Sequence, residues 1–286
     1  MSEIIKNRYE FVLFFDVENG NPNGDPDAGN MPRIDPQTGK GIISDVCMKR
    51  KVRNYVTAVY NNEFGHDIYV SEGAVLNNKQ KEAYDKKGLE AKKDKKDDKM
   101  IAQKYMCERF YDIRTFGAVM DTGDYKCGQV CGPVQFCFSK SEDVILQQEV
   151  TITRMASTTE KEKDSENRTM GRKYIVPYAL YRLEGFVSAK LAERTGFTED
   201  DLKLLFDALV NMFDHDHSAA RGKMAARKLF VFKHESALGN APSDRMLAAI
   251  TVSRSNTDAP PRAFGDYIIN IAADKIPGQV QLQEVL

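Results

Sequence analysis

The segment 9–17, YEFVLFFDV, combines aromatic and β-branched residues with almost no polar interruption. Such residues favour extended backbone, and a run that is apolar on both alternating faces indicates a strand covered on both sides of a sheet. We therefore expect 9–17 to be a buried central strand around which the other elements pack. The segment that follows, 18–41, is rich in Gly, Pro and Asn and is predicted to form a long, shaped loop.

An amphipathic helix is predicted after this loop, from Ser44 to about residue 60. Ser44 suits the N-cap position, and Asp45 is favourable in the first turn. Apolar side chains recur at helical spacing and predict the buried stripe, which comprises Met48, Val52, Tyr55, Val56 and Val59.

The opposite side of this helix is predicted to carry Lys49, Arg50 and Arg53, with no acidic residue from 49 to 59. Phosphate binding needs cations held at a fixed pitch on a rigid element, and a helix supplies that. The first backbone amides of the helix offer a further phosphate site, although Asp45 would oppose it. From the residues alone, a phosphate-binding face and a solvated face fit this pattern equally well.

The rest of the chain predicts a mixed α and β architecture. Residues 77–104 contain ten lysines and six acids, which favours a solvated helical insert with a turn near Gly88, nucleic-acid contact being the alternative. An amphipathic helix is predicted at 197–213, its start marked by Thr198 and Asp201. Strands are predicted in the following segments: 128–139 with 144–153 as a hairpin or meander, 175–187, 229–232, and 246–253 with 263–271 as the last two.

The order of these elements resembles β-α-β-β-α-β, the ferredoxin-like arrangement that RNA-recognition domains share. The polar segment 155–174 lies between two long strands, which predicts a protruding hairpin. The fold class expected is therefore α+β, with a modified ferredoxin-like core and insertions.

Composition limits what this protein can bind and where it acts. The formal net charge is −1, from 41 basic and 42 acidic residues, so a nucleic-acid binder of this kind must concentrate its positive charge locally. No apolar run approaches the roughly 18 residues of a membrane span, and no secretory signal is evident. Five cysteines, an odd number, favour a reducing compartment, so we expect a cytoplasmic protein.

Two groups of residues suggest a metal site, a set of cysteines and a set of loop carboxylates. Cys127, Cys131 and Cys137 suggest zinc, but neither a second close pair nor a histidine lies nearby, which favours ordinary strand cysteines. Loop carboxylates could bind Mg²⁺ for phosphodiester cleavage, although they also suit turns. That set comprises Asp16, Glu18, Asp25, Asp27 and Asp35.

Other loop residues point to phosphate contact. Asn19, Asn21 and Asn23 alternate with Gly20, Pro22 and Gly24, and the backbone of such a loop can approach a phosphate closely. His215 and His217 could bind a metal or transfer protons. The cations that follow them, Arg221, Lys223, Arg227 and Lys228, fit phosphate contact better. Motifs of common hydrolases, kinases and dinucleotide enzymes do not occur in the sequence, so an enzyme has little support.

The N-terminal third carries a specific pattern. It joins the first strand, the segment NGNPNGDP, a Gly-x-Ile-Ser-Asp step at 41–45 and Lys-Arg-Lys-x-Arg at 49–53. This order resembles the backbone subunit of the type I-C CRISPR Cascade complex, in the RAMP superfamily. TFGAVMDTG at 115–123 and the basic turn near Arg221 also fit, and the resemblance covers essentially the whole chain.

The resemblance implies a hand-shaped protein formed by one domain, 1–286. Its palm would be a modified RNA-recognition domain, its fingers a helical insert at 61–109, and its thumb a β-hairpin at 154–174. Copies would stack head to tail along one CRISPR RNA and expose it for pairing with target DNA in antiviral defence. Other partners implied are the handle-binding, large and small Cascade subunits.

The resemblance also implies a noncatalytic subunit, without cofactor or metal, because cleavage of the target belongs to a separate helicase-nuclease. Related subunits of type III systems cut RNA with an aspartate in the first loop, so a metal-dependent RNA endonuclease using Asp25 or Asp27 is the alternative. On this basis we expect the following RNA-binding residues: Asn19, Asn21, Asn23, Ser44, Lys49, Arg50, Arg53, Arg154, Arg168, Arg172, Arg221, Lys223 and Arg227.

Overall fold

A computed structural model describes residues 2–90, 96–156 and 170–286. The helices in those ranges are α1 (Asp45–Tyr60), α2 (Leu76–Lys87), α3 (Lys96–Arg109), α4 (Tyr111–Phe116), α5 (Ala189–Thr195), α6 (Glu199–Asn211) and α7 (Ser243–Leu247). The first strands are β1 (Tyr9–Gly20), β2 (Gly24–Asp25), β3 (Met31–Pro32), β4 (Lys40–Ile43), β5 (Gly117–Met120), β6 (Gly128–Cys131) and β7 (Val134–Phe136). The remaining strands are β8 (Ser139–Val144), β9 (Gln148–Thr153), β10 (Met170–Val187), β11 (Lys223–His234), β12 (Ile250–Arg254), β13 (Tyr267–Ile271) and β14 (Val280–Glu284).

One antiparallel sheet of eight strands organises this mixed α and β fold. Its continuous order is β14-β11-β1-β10-β8-β4, and β7 and β9 also pair with β10. The prediction that 9–17 is a buried central strand is confirmed, because β1 lies between β10 and β11. Alternate side chains of β1 enter two different cores, with Phe11, Leu13 and Phe15 on one face and Val12 and Phe14 on the other.

Two long helices cover the first face. The predicted helix after Ser44 is confirmed as α1, and Met48, Val52 and Val56 are buried, whereas Val59 is exposed against expectation. The predicted helix at 197–213 is confirmed as α6, whose Thr198 and Asp201 form a capping box. Its apolar stripe enters the core through Leu202, Leu205, Leu209 and the following Phe213.

The second face is covered by the C-terminal part of the chain. Side chains from α7, β12 and β13 pack on the aromatic residues of the sheet, forming a second core with Phe14, Tyr178, Phe230 and Phe232. An RNA-recognition domain stacks bases on aromatic side chains of an open sheet. Here the corresponding apolar face is covered by protein, so it is not open for stacking bases.

The charged insert has a core of its own. In α2 and α3, Ala83, Tyr84, Ala102 and Tyr105 are buried and pack together in a third core. Gly88 ends α2 with a left-handed backbone, φ 64°, so the predicted turn is confirmed. No helix of the described residues is both long enough and apolar enough to cross a membrane.

Two strand predictions are wrong. Segments 128–139 and 144–153 do not pair with each other: β6 pairs with β5, whereas β7, β8 and β9 all pair with β10. The strands near 250 and 270 are not the last ones, because β14 follows and pairs with β11. Both errors concern pairing between distant segments, which hydrophobic pattern alone does not determine.

Candidate nucleic-acid interface

The start of α1 is fastened to the preceding loop. Ser44 occupies the N-cap position, but its hydroxyl makes no capping bond to the helix. Instead its backbone N–H and its Oγ both donate to Asn23 Oδ1, at 3.0 and 3.1 Å. The Asn23 side chain therefore orients the helix, and its carbonyl oxygen is already engaged within the protein.

The three cations predicted on the outer side of α1 differ in their exposure. Arg50 is exposed, but Lys49 Nζ lies 2.9 Å from Asp45 Oδ2 and Arg53 Nε lies 2.8 Å from Asp112 Oδ2. The reason is that α4 packs beside this face of α1. It brings the buried Asp112, and its Phe116 ring lies below both paired cations at 5.7 and 5.4 Å.

The segment 18–41 is more regular than the predicted loop. β1 continues to Gly20, and β2 pairs with β3 in a small hairpin. Asn21 is buried: its backbone N–H donates to the Ala220 carbonyl at 2.8 Å, and its Nδ2 donates to the Asn30 carbonyl at 2.7 Å. Asn19 adopts a left-handed backbone, φ 51°. The amide side chains of Asn21 and Asn23 thus fold the segment rather than face solvent.

The basic turn at 214–222 packs directly on the end of β1. A Cβ added to Gly20 would overlap the Arg221 carbonyl, and one added to Gly222 would overlap the backbone of Asn19. Lys173 of β10, which the sequence analysis missed, donates its Nζ to the Ala219 carbonyl at 2.8 Å. The loop, the turn and the edge of the hairpin therefore meet at one end of the sheet.

The cations of the turn and of the first part of β11 differ in their accessibility. Arg221 Nη1 lies 2.9 Å from Asp216 Oδ1, and that carboxylate is buried. Lys223 is exposed and only loosely paired with Glu18, at 3.3 Å. Arg227 lies at the β-bulge between β1 and β11, where its Nε is 2.9 Å from the buried Asp16.

The hairpin formed by β9 and β10 extends from the same end of the sheet. Thr153 pairs with Met170 and Gln148 with Ile175, which gives an antiparallel stem. Arg172 is exposed and lies 3.1 Å from Glu149, and Arg154 Nε donates to the Ala156 carbonyl at 2.8 Å. The predicted thumb tip, including Arg168, lies outside the described residues.

The carboxylates proposed for Mg²⁺ are used in other ways. Asp16 accepts a hydrogen bond from the Tyr178 hydroxyl at 2.9 Å in addition to its ion pair with Arg227. Asp25 accepts from the Asp27 backbone N–H at 3.2 Å and lies 3.4 Å from Arg33. Within the described ranges, no cluster of three or more His, Cys, Asp or Glu side chains has the arrangement of a metal site.

The histidine and cysteine candidates also have structural surroundings. The His215 ring lies 5.7 Å from the Tyr55 ring, while the intervening Asp216 turns inward. Burial raises the pKa of the Cys127 thiol to about 12, so this thiol is protonated at neutral pH. Cys131 and Cys137 are exposed, free thiols.

The chain is similar to known proteins in sequence and in fold. A family model described as "CRISPR-associated protein Cas7" matches residues 7–272. A relative from Haloferax volcanii, "CRISPR-associated protein Cas7", is 27% identical over 253 residues, covering 82% of this chain and 72% of the relative. A chain of a solved "CRISPR RNA-guided surveillance complex, pre-nicking" has a similar fold, with a TM-score of 0.53 and 14% identity over 79% of this chain and 78% of that chain. A chain of another "CRISPR RNA-guided surveillance complex" gives a TM-score of 0.48 and 14% identity, covering 87% of this chain and 78% of that chain.

Proposed function

The chain belongs to the CRISPR-associated Cas7 family, and on this premise we propose that it is a backbone subunit of a CRISPR RNA-guided surveillance complex. The family match over 7–272 carries the proposal, because it includes the helical insert, the candidate interface and every strand of the sheet except β14. The subunit binds the backbone of a CRISPR RNA, stacks head to tail with copies of itself and presents the guide to target DNA.

The palm corresponds to a ferredoxin-like core in this proposal. In chain order, β1, α1, β8, β10, α6 and β11 follow β-α-β-β-α-β, and the spatial order β11-β1-β10-β8 is the one expected for that topology. The 61–109 insert corresponds to the fingers, and the β9–β10 hairpin corresponds to the stem of the thumb at 154–174.

The guide is bound at the end of the sheet where α1, the 214–222 turn and the hairpin stem meet. A subunit that accepts any guide sequence must contact the phosphate backbone rather than the base edges. The exposed cations Arg50, Arg172 and Lys223 serve this purpose, and the covered aromatic face explains why bases are not stacked on the sheet. The other cations are each paired with a carboxylate and support the surface from the protein side. They are Lys49, Arg53, Arg221 and Arg227.

Within the family, the N-terminal pattern favours a type I-C Cascade. Its partners are then the handle-binding, large and small subunits, and the subunit itself is noncatalytic. Support for this last point comes from Asp16 and Asp25, which are engaged with Arg227 and Arg33 rather than grouped around an open position for Mg²⁺.

The proposed phosphate contact is tested by Arg50→Ala. We expect weaker binding of unrelated single-stranded RNAs and a plot of log affinity against log salt whose slope falls by about 1, since one phosphate contact is lost. Lys190→Ala, which removes an exposed cation of α5, is the matched control and leaves both values unchanged. Fluorescence anisotropy over a range of salt concentrations measures both quantities.

Two results would contradict the proposal. One is an unchanged salt slope for Arg50→Ala. The other is cleavage of labelled RNA in Mg²⁺ that is lost on Asp25→Ala or Asp27→Ala, which would instead identify a metal-dependent RNA endonuclease.

A further inference from the structure

One lysine of α1 points into the protein. Lys51, between the predicted cations Arg50 and Arg53, has a fully buried side chain, and its Nζ bonds to Asp216 Oδ2. The other oxygen of Asp216 accepts Arg221 Nη1 at 2.9 Å, and the Asp216 backbone carbonyl accepts the same nitrogen at 3.1 Å. Lys51, Asp216 and Arg221 form a network that we term the buried ion network.

Such a network contributes geometry more than stability. Removing an ammonium group and a carboxylate from water costs several kcal/mol per ion, and apolar replacements of buried ion pairs are often equally stable. Burial lowers the pKa of Lys51, which is the expected sign of this desolvation. Because hydrogen bonds are directional, the Lys51–Asp216 pair nevertheless favours one arrangement of α1 and the 214–222 turn.

Those two elements are parts of the candidate interface. Lys51 lies on the helix that exposes Arg50, and Asp216 lies in the turn that leads into the exposed Lys223. The rest of the turn is held by Asn21 and by Lys173 of β10, through the Ala220 and Ala219 carbonyls. The buried ion network is therefore the ionic link between the turn and α1, beside the ring contact of His215 with Tyr55.

We propose that Lys51 and Asp216 are positioning residues for RNA binding, which hold the 214–222 turn at a fixed spacing from α1. The inference rests on the proposed function, because it assigns these two residues a role in the same surface. Neither side chain is accessible to a phosphate. Both therefore act through exposed cations of the elements that they join, Arg50 on α1 and Lys223 directly after the turn.

Lys51→Met tests this inference, because Asp216 keeps Arg221 as its partner while the link to α1 is lost. We expect RNA affinity about tenfold weaker, within the range of coupling between contacting residues. We also expect that Lys223→Gln, which weakens binding in the wild-type protein, has almost no further effect in the Lys51→Met background. If Lys51 contributed to stability alone, the effects of Lys51→Met and Lys223→Gln on the free energy of RNA binding would be additive.

A second variant guards against loss of folding. Lys51→Met with Asp216→Leu replaces the pair by apolar side chains, which buried sites often tolerate, and leaves the partly exposed Arg221 to solvent. It is expected to fold and to show the same weakened affinity and the same lack of additivity with Lys223→Gln.

The matched control is Arg114→Met, which breaks a buried ion pair between α4 and α6 in which Arg114 Nη2 lies 2.7 Å from Asp201 Oδ1. It should lower stability without changing RNA affinity. Wild-type affinity in the double variant, full additivity with Lys223→Gln, or an equal loss of affinity in Arg114→Met would overturn the inference alone. Wild-type protein that binds no RNA would overturn the proposed function and this inference with it.

Discussion

Arg50 and Arg53 lie about one turn apart on α1, yet their surroundings give them different roles. Arg50 faces solvent, whereas the Arg53 guanidinium is mostly buried between the Phe116 ring and the Asp112 carboxylate. Asp112 also accepts backbone hydrogen bonds from Tyr69 and Val70, at 2.7 and 3.0 Å. One carboxylate thus joins α1 to the backbone of residues 69–70.

Arg53→Ala should therefore destabilise the protein, because it leaves Asp112 buried without its cation. We expect the free energy of unfolding to fall by about 3 kcal/mol, as for removal of one partner of a buried ion pair. Arg50→Ala should change it by less than about 0.5 kcal/mol, as is usual at exposed positions. Urea denaturation followed by circular dichroism measures both, and equal losses in the two variants would contradict this assignment.

At the scale of elements, the sequence predicted those helices and strands whose formation depends on residues close together in the chain. The central strand, α1 and α6 follow from composition, spacing and capping residues at Ser44 and Thr198. The surroundings of Lys51 and Arg53 did not follow, because their partners Asp216 and Asp112 lie far away in sequence. Helical spacing places Lys51 on the buried stripe of α1 and Arg50 off it. It does not reveal the carboxylate of Asp216 that pairs with the buried ammonium group.

The pairing of β10 shows the same limit. It is a strand of 18 residues that pairs with β1, β7, β8 and β9 at successive positions along its length. The polar excursion before it correctly predicted a hairpin, whose stem is now described between Gln148 and Ile175. The strands that pair with the rest of β10 depend on where the chain reverses direction. Hydrophobic pattern does not determine those positions.

Replacing residues 154–169 by Asn-Gly tests the role of the hairpin as an element. Thr153 and Met170 are directly paired, so a two-residue turn can join them without disturbing the stem. The melting temperature should stay within about 2 °C of the wild-type value, since none of the three cores includes the stem. Complexes assembled with this variant should bind target DNA poorly, as measured by gel shift; normal target binding would show that the segment is not the thumb.

At the scale of the whole molecule, charge is balanced but unevenly placed. The formal net charge is −1. Many cations are already paired with carboxylates, including Arg8, Lys51, Arg53 and Arg114. In the proposed function the exposed cations of the interface attract RNA, and a net charge near zero gives little overall repulsion between copies of the chain. Assembly along RNA is the behaviour that this distribution favours.

Assembly is tested by mixing the protein with single-stranded RNAs of increasing length and weighing the complexes by mass photometry. A backbone subunit should add copies one at a time, so that mass rises in steps of 32.3 kDa as the RNA lengthens. Arg50→Ala should shift each step to higher protein concentration, because every copy loses one phosphate contact, and raised salt should do the same. A standalone RNA-binding domain predicts independent binding with no dependence of one copy on its neighbour. Single copies on the longest RNA, at protein concentrations far above the affinity for one site, would exclude the head-to-tail subunit.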